Sequence, residues 1–125
     1  MGKESRAADL PGSVAIIGTG WLGAPLACEL ARRGSRVVAA SRSGTLRGMD
    51  QIPTGIEPIR FDLLGDGDDA LARILSTVDA ALFCFASGGN QDRRRLYVEG
   101  AAVIGRACSD VSLDRVVYTL SLIHI

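Results

Sequence analysis

A short apolar run that breaks into spaced glycines and then resumes at a helical period admits few folds. Val14-Ala15-Ile16-Ile17 is continuous, apolar and rich in β-branched side chains, as a parallel strand covered on both faces must be. It ends at Gly18-Thr19-Gly20-Trp21-Leu22-Gly23, beyond which Leu22, Leu26 and Leu30 recur every fourth residue with Ala27 and Ala31 beside them. That spacing predicts a helix over Trp21–Arg33 with one apolar stripe. Arg32 and Arg33 suit its negative end, Gly34 closes it, and Pro25 is tolerable because the first helical turn has no partner for its missing N–H.

The same alternation continues down the chain. Arg36–Ala40 predicts a second strand, Ser41–Gly55 an irregular loop with Gly44, Gly48, Pro53 and Gly55, and Ile59-Arg60-Phe61 a third strand. Asp66, Asp68 and Asp69 are expected to cap a helix that presents Leu71, Ile74 and Leu75. Ala80–Phe85 predicts a fourth strand. A helix over about Gln91–Ser109 is expected to present Tyr97, Ala101, Ile104 and Cys108, and Val116–Thr119 begins a fifth strand. Strands and helices in this order call for an α/β, doubly wound parallel sheet of order 3-2-1-4-5.

Gly18-Thr-Gly20-Trp-Leu-Gly23 is G-x-G-x-x-G, a weak pattern by itself in a chain with 15 glycines. Between a buried strand and an amphipathic helix it becomes specific for a dinucleotide. The first glycine permits the tight turn, the second lets backbone approach a pyrophosphate, and the third lets helix pack on strand. The helix N-terminus then offers free N–H groups and a positive dipole end. Trp21 packs near this turn or covers the helix start. At the end of the second strand, where an NAD-specific unit usually places a carboxylate for the ribose 2′-hydroxyl, stand Ala40, Ser41 and Arg42. Arg42 can meet a 2′-phosphate, with a hydroxyl from Ser41 or Ser43, so NADP is expected and NAD is the alternative. A solvated loop charge is the other reading of Arg42.

Asp62, in Phe61-Asp62-Leu63, lies where it could accept from an adenine amino group or serve as an ordinary loop acid. Ala86 and Ser87, before Gly88-Gly89, supply small residues along the path of the ribose and nicotinamide, or form a plain loop. Arg93-Arg94-Arg95 reads as a solvated face, with a substrate anion as the alternative.

Charge excludes little and predicts little: 14 basic residues balance 14 acidic ones, so no nucleic-acid or anionic-membrane partner is implied. Cys28, Cys84 and Cys108 are odd in number, lack metal-ligand spacing and lie among apolar residues, as buried thiols of a reducing compartment do. With one histidine no metal site is expected. Lacking a signal-type or membrane-spanning run, the protein is expected to be cytoplasmic. Residues 1–12 are polar without a period and predict a disordered lead, leaving 13–119 as the nucleotide-binding domain. Leu120-Ser-Leu-Ile-His-Ile125 reads as a translation of the transposon end used in preparing some sequencing libraries. It is expected to be a non-native tail that truncates the sheet near strand five, so Ser121 and His124 are set aside as catalytic candidates.

From Val14 to Thr119 the chain resembles the extended or atypical short-chain dehydrogenase/reductase superfamily, in its NAD-dependent epimerase/dehydratase group. The resemblance is carried by Gly18-Thr19-Gly20-Trp21-Leu22-Gly23-Ala-Pro-Leu-Ala27, Ser41-Arg42-Ser43, Phe61-Asp62-Leu63, Phe85-Ala86 and Val116–Thr119. It implies an adenine-side role for Asp62 and a 2′-phosphate role for Arg42. Ile17 stands where many extended members have a further glycine, and Tyr-x-x-x-Lys is absent, since Tyr97 is followed by Ala101, Tyr118 by Leu122, and the only lysine is Lys3. No catalytic residue is therefore assigned. The expected function is the NAD(P)-binding domain of an oxidoreductase or nucleotide-sugar epimerase acting on a small-molecule substrate. The alternatives are a 3-hydroxyacid or 6-phosphogluconate-type dehydrogenase domain and a non-catalytic NADP-sensing module. Substrate and oligomeric state are not encoded in these motifs.

Overall fold

The computed structural model describes residues 10–85 and 93–119. Five strands, β1 (Ser13–Ile17), β2 (Arg36–Ser41), β3 (Ile56–Arg60), β4 (Ala80–Phe83) and β5 (Arg115–Tyr118), alternate with three helices, α1 (Gly23–Arg32), α2 (Gly67–Leu75) and α3 (Arg93–Ser109). The strands are all parallel and ordered β3-β2-β1-β4-β5, the doubly wound arrangement expected of a Rossmann-type unit.

Alternate side chains of β1 and β2 feed opposite faces, as the pleat requires. Val14, Ile16, Val37 and Ala39 meet Ala24 and Ala27 of α1 on one face. Ala15, Ile17, Val38 and Ala40 meet Leu71 and Leu75 of α2 and Leu96, Val103, Ile104 and Ala107 of α3 on the other. Within the first face the β2–β3 connection carries no helix. Its cover there comes from Leu46, 2% exposed, with Met49 and Ile52 against the same cluster.

Several boundaries and faces differ from expectation. Helix α1 begins at Gly23, two residues late, and rests on Gly23, Ala24 and Ala27, while Leu22 is 46% exposed. Small residues win the contact face because they allow the axis to approach the sheet, and the leucines fill the flanks. In α3 the buried face is Leu96, Gly100, Val103, Ile104 and Ala107, so of the expected row Ile104 is buried and Cys108 packs beside it, while Tyr97 is half-buried and Ala101 exposed. At Gly100 a Cβ would come within 2.8 Å of Leu63 Cδ2, so the helix approaches on its smallest residue. Strand β3 runs Ile56–Arg60 with Pro58 inside it, which an edge strand tolerates. Asp66 occupies the N-cap of α2 but makes no side-chain cap bond. Its Oδ2 instead accepts from the Asp62 amide at 2.7 Å, and Asp68 and Asp69 alone supply charge to the first turn.

Gly34 closes α1 as expected, with φ 104° and its N–H on the Ala31 carbonyl. Pro11 and Gly12, assigned to the lead from sequence, accept from the Ser35 hydroxyl and the Arg36 amide.

Candidate dinucleotide site

Strand β1 has β2 on one side and β4 on the other, and α1, which leads to β2, and α2, which leads to β4, pack on opposite faces of the sheet. A crevice outside the carboxyl ends of strands at such a reversal is where open α/β sheets take ligands. The turn Gly18–Leu22 sits at that point, between the end of β1 and the start of α1.

Its glycines differ in what surrounds them. Gly18 has φ 103°, and a Cβ there would lie 2.7 Å from the Phe85 backbone. A Cβ on Gly23 would lie 1.7 Å from the Gly18 carbonyl oxygen and 3.3 Å from Ile16 Cγ2. These two close the turn onto β4 and the helix onto β1. Gly20, by contrast, faces open space, with nothing within 4 Å of a Cβ position. Leu22 at the N-cap gives no side-chain bond, and the first turn of α1 holds no acid. No side-chain cap and no acid compete for the start of the helix, and Gly20 leaves the approach to it open, an arrangement that fits a diphosphate.

Thr19 is buried and its Oγ1 donates to the Thr45 carbonyl at 2.6 Å. Its own carbonyl accepts from the Arg47 amide at 3.0 Å. The β2–β3 connection is thereby stitched to the glycine turn. Sequence reasoning missed Thr45, Leu46 and Arg47 as parts of this assembly; the lone apolar Leu46 between polar residues was the available signal. Trp21 is 81% exposed, and the Arg47 guanidinium carbon lies 4.1 Å from its ring centroid. Its packing is therefore onto this arginine and not onto the body of α1.

Ser41 Oγ accepts from the Gly44 amide at 2.9 Å and the Thr45 amide at 3.2 Å, and donates to the Thr45 carbonyl at 3.1 Å. That hydroxyl shapes the bend following β2. Ser43 Oγ lies 2.7 Å from Thr45 Oγ1. Arg42 between them is exposed, and no hydrogen bond or ion pair holds it among the described residues.

Asp62 follows β3 at the same sheet edge, half-buried. Its Oδ1 accepts from the Leu64 amide at 3.2 Å, and its carbonyl accepts from the Asp66 amide at 2.8 Å. Leu63 turns its side chain into the core, leaving backbone toward the edge. Ala86 and Ser87 lie outside the described residues.

Beyond β4, Phe85 packs edge-on against Tyr118 with ring centroids 5.5 Å apart, and at 6.1 Å from Tyr97. Burial pushes the Tyr118 hydroxyl up from its ordinary range, with Tyr97 adding to the shift. Burial also raises the Cys84 thiol, against a lowering hydrogen bond from Thr119. Arg94 and Arg95 are exposed, and Arg95 pairs with Glu99 at 3.1 Å. Among the described residues no helix is long and apolar enough to cross a membrane.

No family model and no curated protein matches the chain. Solved structures do. Epimerase Mth375 of Methanothermobacter thermautotrophicus superposes with a TM-score of 0.73 at 23% identity, covering 95% of this chain and 38% of that one. The Bordetella bronchiseptica enzyme WbmG, solved with NAD and UDP, gives 0.70 at 16% identity over 88% of this chain and 37% of its own. A wide-type short-chain dehydrogenase/reductase of Veillonella parvula, solved with NADP, gives 0.66 at 14% identity over 87% and 47%. At these identities the likeness is one of fold, and the chain spans less than half the length of these neighbours.

Proposed function

We propose that this chain is the NAD(P)-binding part of an oxidoreductase or nucleotide-sugar epimerase of the short-chain dehydrogenase type, and that it prefers NADP. The observation that carries the reading is the division of labour at the turn: Gly18 and Gly23 have no room for a side chain, and Gly20 faces open space at the sheet's switch point. A diphosphate is the ligand that such a turn, backed by an uncapped helix N-terminus, accommodates. Neighbours of the same fold were solved with NAD or NADP. Bound here, a nicotinamide dinucleotide supplies hydride transfer, and the residues of this chain supply grip and orientation.

The NADP preference rests on Arg42, exposed after β2 and without a partner among the described residues, where no carboxylate stands in the sequence. Asp62 is the residue proposed for the adenine side, at the end of the neighbouring strand. Titrating NADP and NAD by calorimetry against wild type and Arg42→Asp tests both the ligand and the preference. A charged hydrogen bond of about 1.5–3 kcal/mol corresponds to about tenfold to a hundredfold in affinity. Wild type is expected to bind NADP more tightly by that factor, and Arg42→Asp to lose NADP and relatively favour NAD. Tighter binding of NAD by the wild type overturns the preference, and binding of neither dinucleotide overturns the site.

A further inference from the structure

Arg47 is a cation that the motif-based account of the site leaves unused, and three contacts fix where it stands. Leu46 beside it is buried in the α1 face of the core. Its own amide donates to the Thr19 carbonyl inside the glycine turn, and its guanidinium lies over the ring of Trp21, the residue between Gly20 and Leu22. The backbone is thus held beside the glycine turn, and the exposed side chain rests on Trp21. No carboxylate neutralises it among the described residues, and no acid occupies the first turn of α1.

We infer that Arg47 is a second cation of the dinucleotide site, which rests on the Trp21 ring and transfers to phosphate oxygens of the bound ligand. The inference rests on the dinucleotide reading and adds to it a residue that determines phosphate affinity. The Trp21 contact suits a resting place: an exposed stacked arginine keeps its charge, and a phosphate competes with the ring through two-pronged, charge-assisted hydrogen bonds that are the stronger interaction. The backbone bond to Thr19 leaves the side chain free to swing while its root stays fixed. Binding therefore needs no movement of the loop.

Trp21 is the chain's single tryptophan, so its emission reports the departure of the arginine from the ring. The test uses this chain with NADP, NAD and 2′,5′-ADP as probes, reading affinity by calorimetry and Trp21 emission in parallel, for wild type, Arg47→Met and Arg47→Lys. Wild-type emission is expected to shift on saturation. Arg47→Met is expected to bind NADP about tenfold or more weakly, with emission already displaced in the free protein and little further change on binding. Arg47→Lys is expected to recover part of the affinity. Equal losses for NAD and NADP assign the contact to the diphosphate, whereas a loss confined to NADP and 2′,5′-ADP assigns it to the 2′-phosphate. If Arg47→Met binds the dinucleotides as tightly as wild type, the inference falls and the dinucleotide reading stands. If wild type binds none of the probes, both fall together.

Discussion

Gly20 and Gly23, three positions apart, make opposite demands on a substitution. A methyl group on Gly23 drives into the Gly18 carbonyl at 1.7 Å, and backbone cannot yield as a flexible side chain can. Gly23→Ala is expected to destabilise the fold by about 1–3 kcal/mol, as overpacking does, in urea or thermal unfolding. Gly20→Ala meets nothing within 4 Å, so its melting temperature is expected to stay near that of wild type. Its dinucleotide affinity is expected to fall, because the methyl group would stand where the proposed ligand's phosphates approach. Calorimetry on both variants separates the two roles, and equal stability losses would contradict them. The steric demands at Gly18 and Gly23 follow from the glycine spacing taken with the strand before it and the helix after it, so the shape of the turn was legible in the sequence. Less legible were the tasks of the hydroxyls around it. Nothing in Ser41-Arg42-Ser43 indicates that Ser41 spends its hydroxyl on the Gly44 and Thr45 amides, because such bonds depend on how the following residues bend.

Among the elements, α1 and the β2–β3 connection carry the proposed site. Leu46 is the connection's anchor, and Leu46→Ala is expected to cost about 2–5 kcal/mol by urea unfolding, the range for a buried leucine. A value under 1 kcal/mol would mean that the loop does not depend on it. At the far end of α1, hydrogen bonds from Arg32 and then Arg33 hold the Glu29 carboxyl down at about 2, from an ordinary 4.5. Since the folded protein favours the ionised form, the stability contributed is whole above pH 4.5 and is lost as pH falls through about 2. The groups are exposed, so the contribution is small. Melting temperatures of wild type and Glu29→Gln are therefore expected to differ slightly at neutral pH and to converge in acid. A difference that widens in acid would reverse the sign.

Strands β1, β2 and β4 were legible because burial on both faces writes an unbroken apolar run. Strand β3 was set too late because an edge position admits Glu57 and Pro58, which read as loop. The contact faces of α1 and α3 were read in part: Ala27 and Ile104 are buried as expected, and what periodicity missed are the small residues Gly23, Ala24, Gly100 and Ala107, which close approach to a sheet or helix selects.

At the scale of the whole sheet, β1 and β2 are sealed on two faces while β5 is not, among the described residues. Val116, Val117 and Tyr118 are 40–45% exposed, and β5 pairs with β4 along one edge among the described residues. An apolar strand with a free edge is a template for another chain. This chain is expected to self-associate as its concentration rises, and Val117→Lys to shift it toward monomer in sedimentation velocity. A wild type that remains monomeric throughout would show that the edge is covered. The sheet order was readable from the alternation of strands and helices, but exposure at β5 was not, since Val116-Val117-Tyr118 is a β-branched and aromatic run that reads as a covered strand.

The bond between the Arg47 amide and the Thr19 carbonyl joins two stretches of chain that hydrogen–deuterium exchange can follow at a single proton. That proton opens to solvent only when the connection lifts from the turn. Its rate of labelling is consequently a gauge of whether the turn and the loop behave as one rigid piece, and any occupant that stiffens the turn will slow that one site before the core responds.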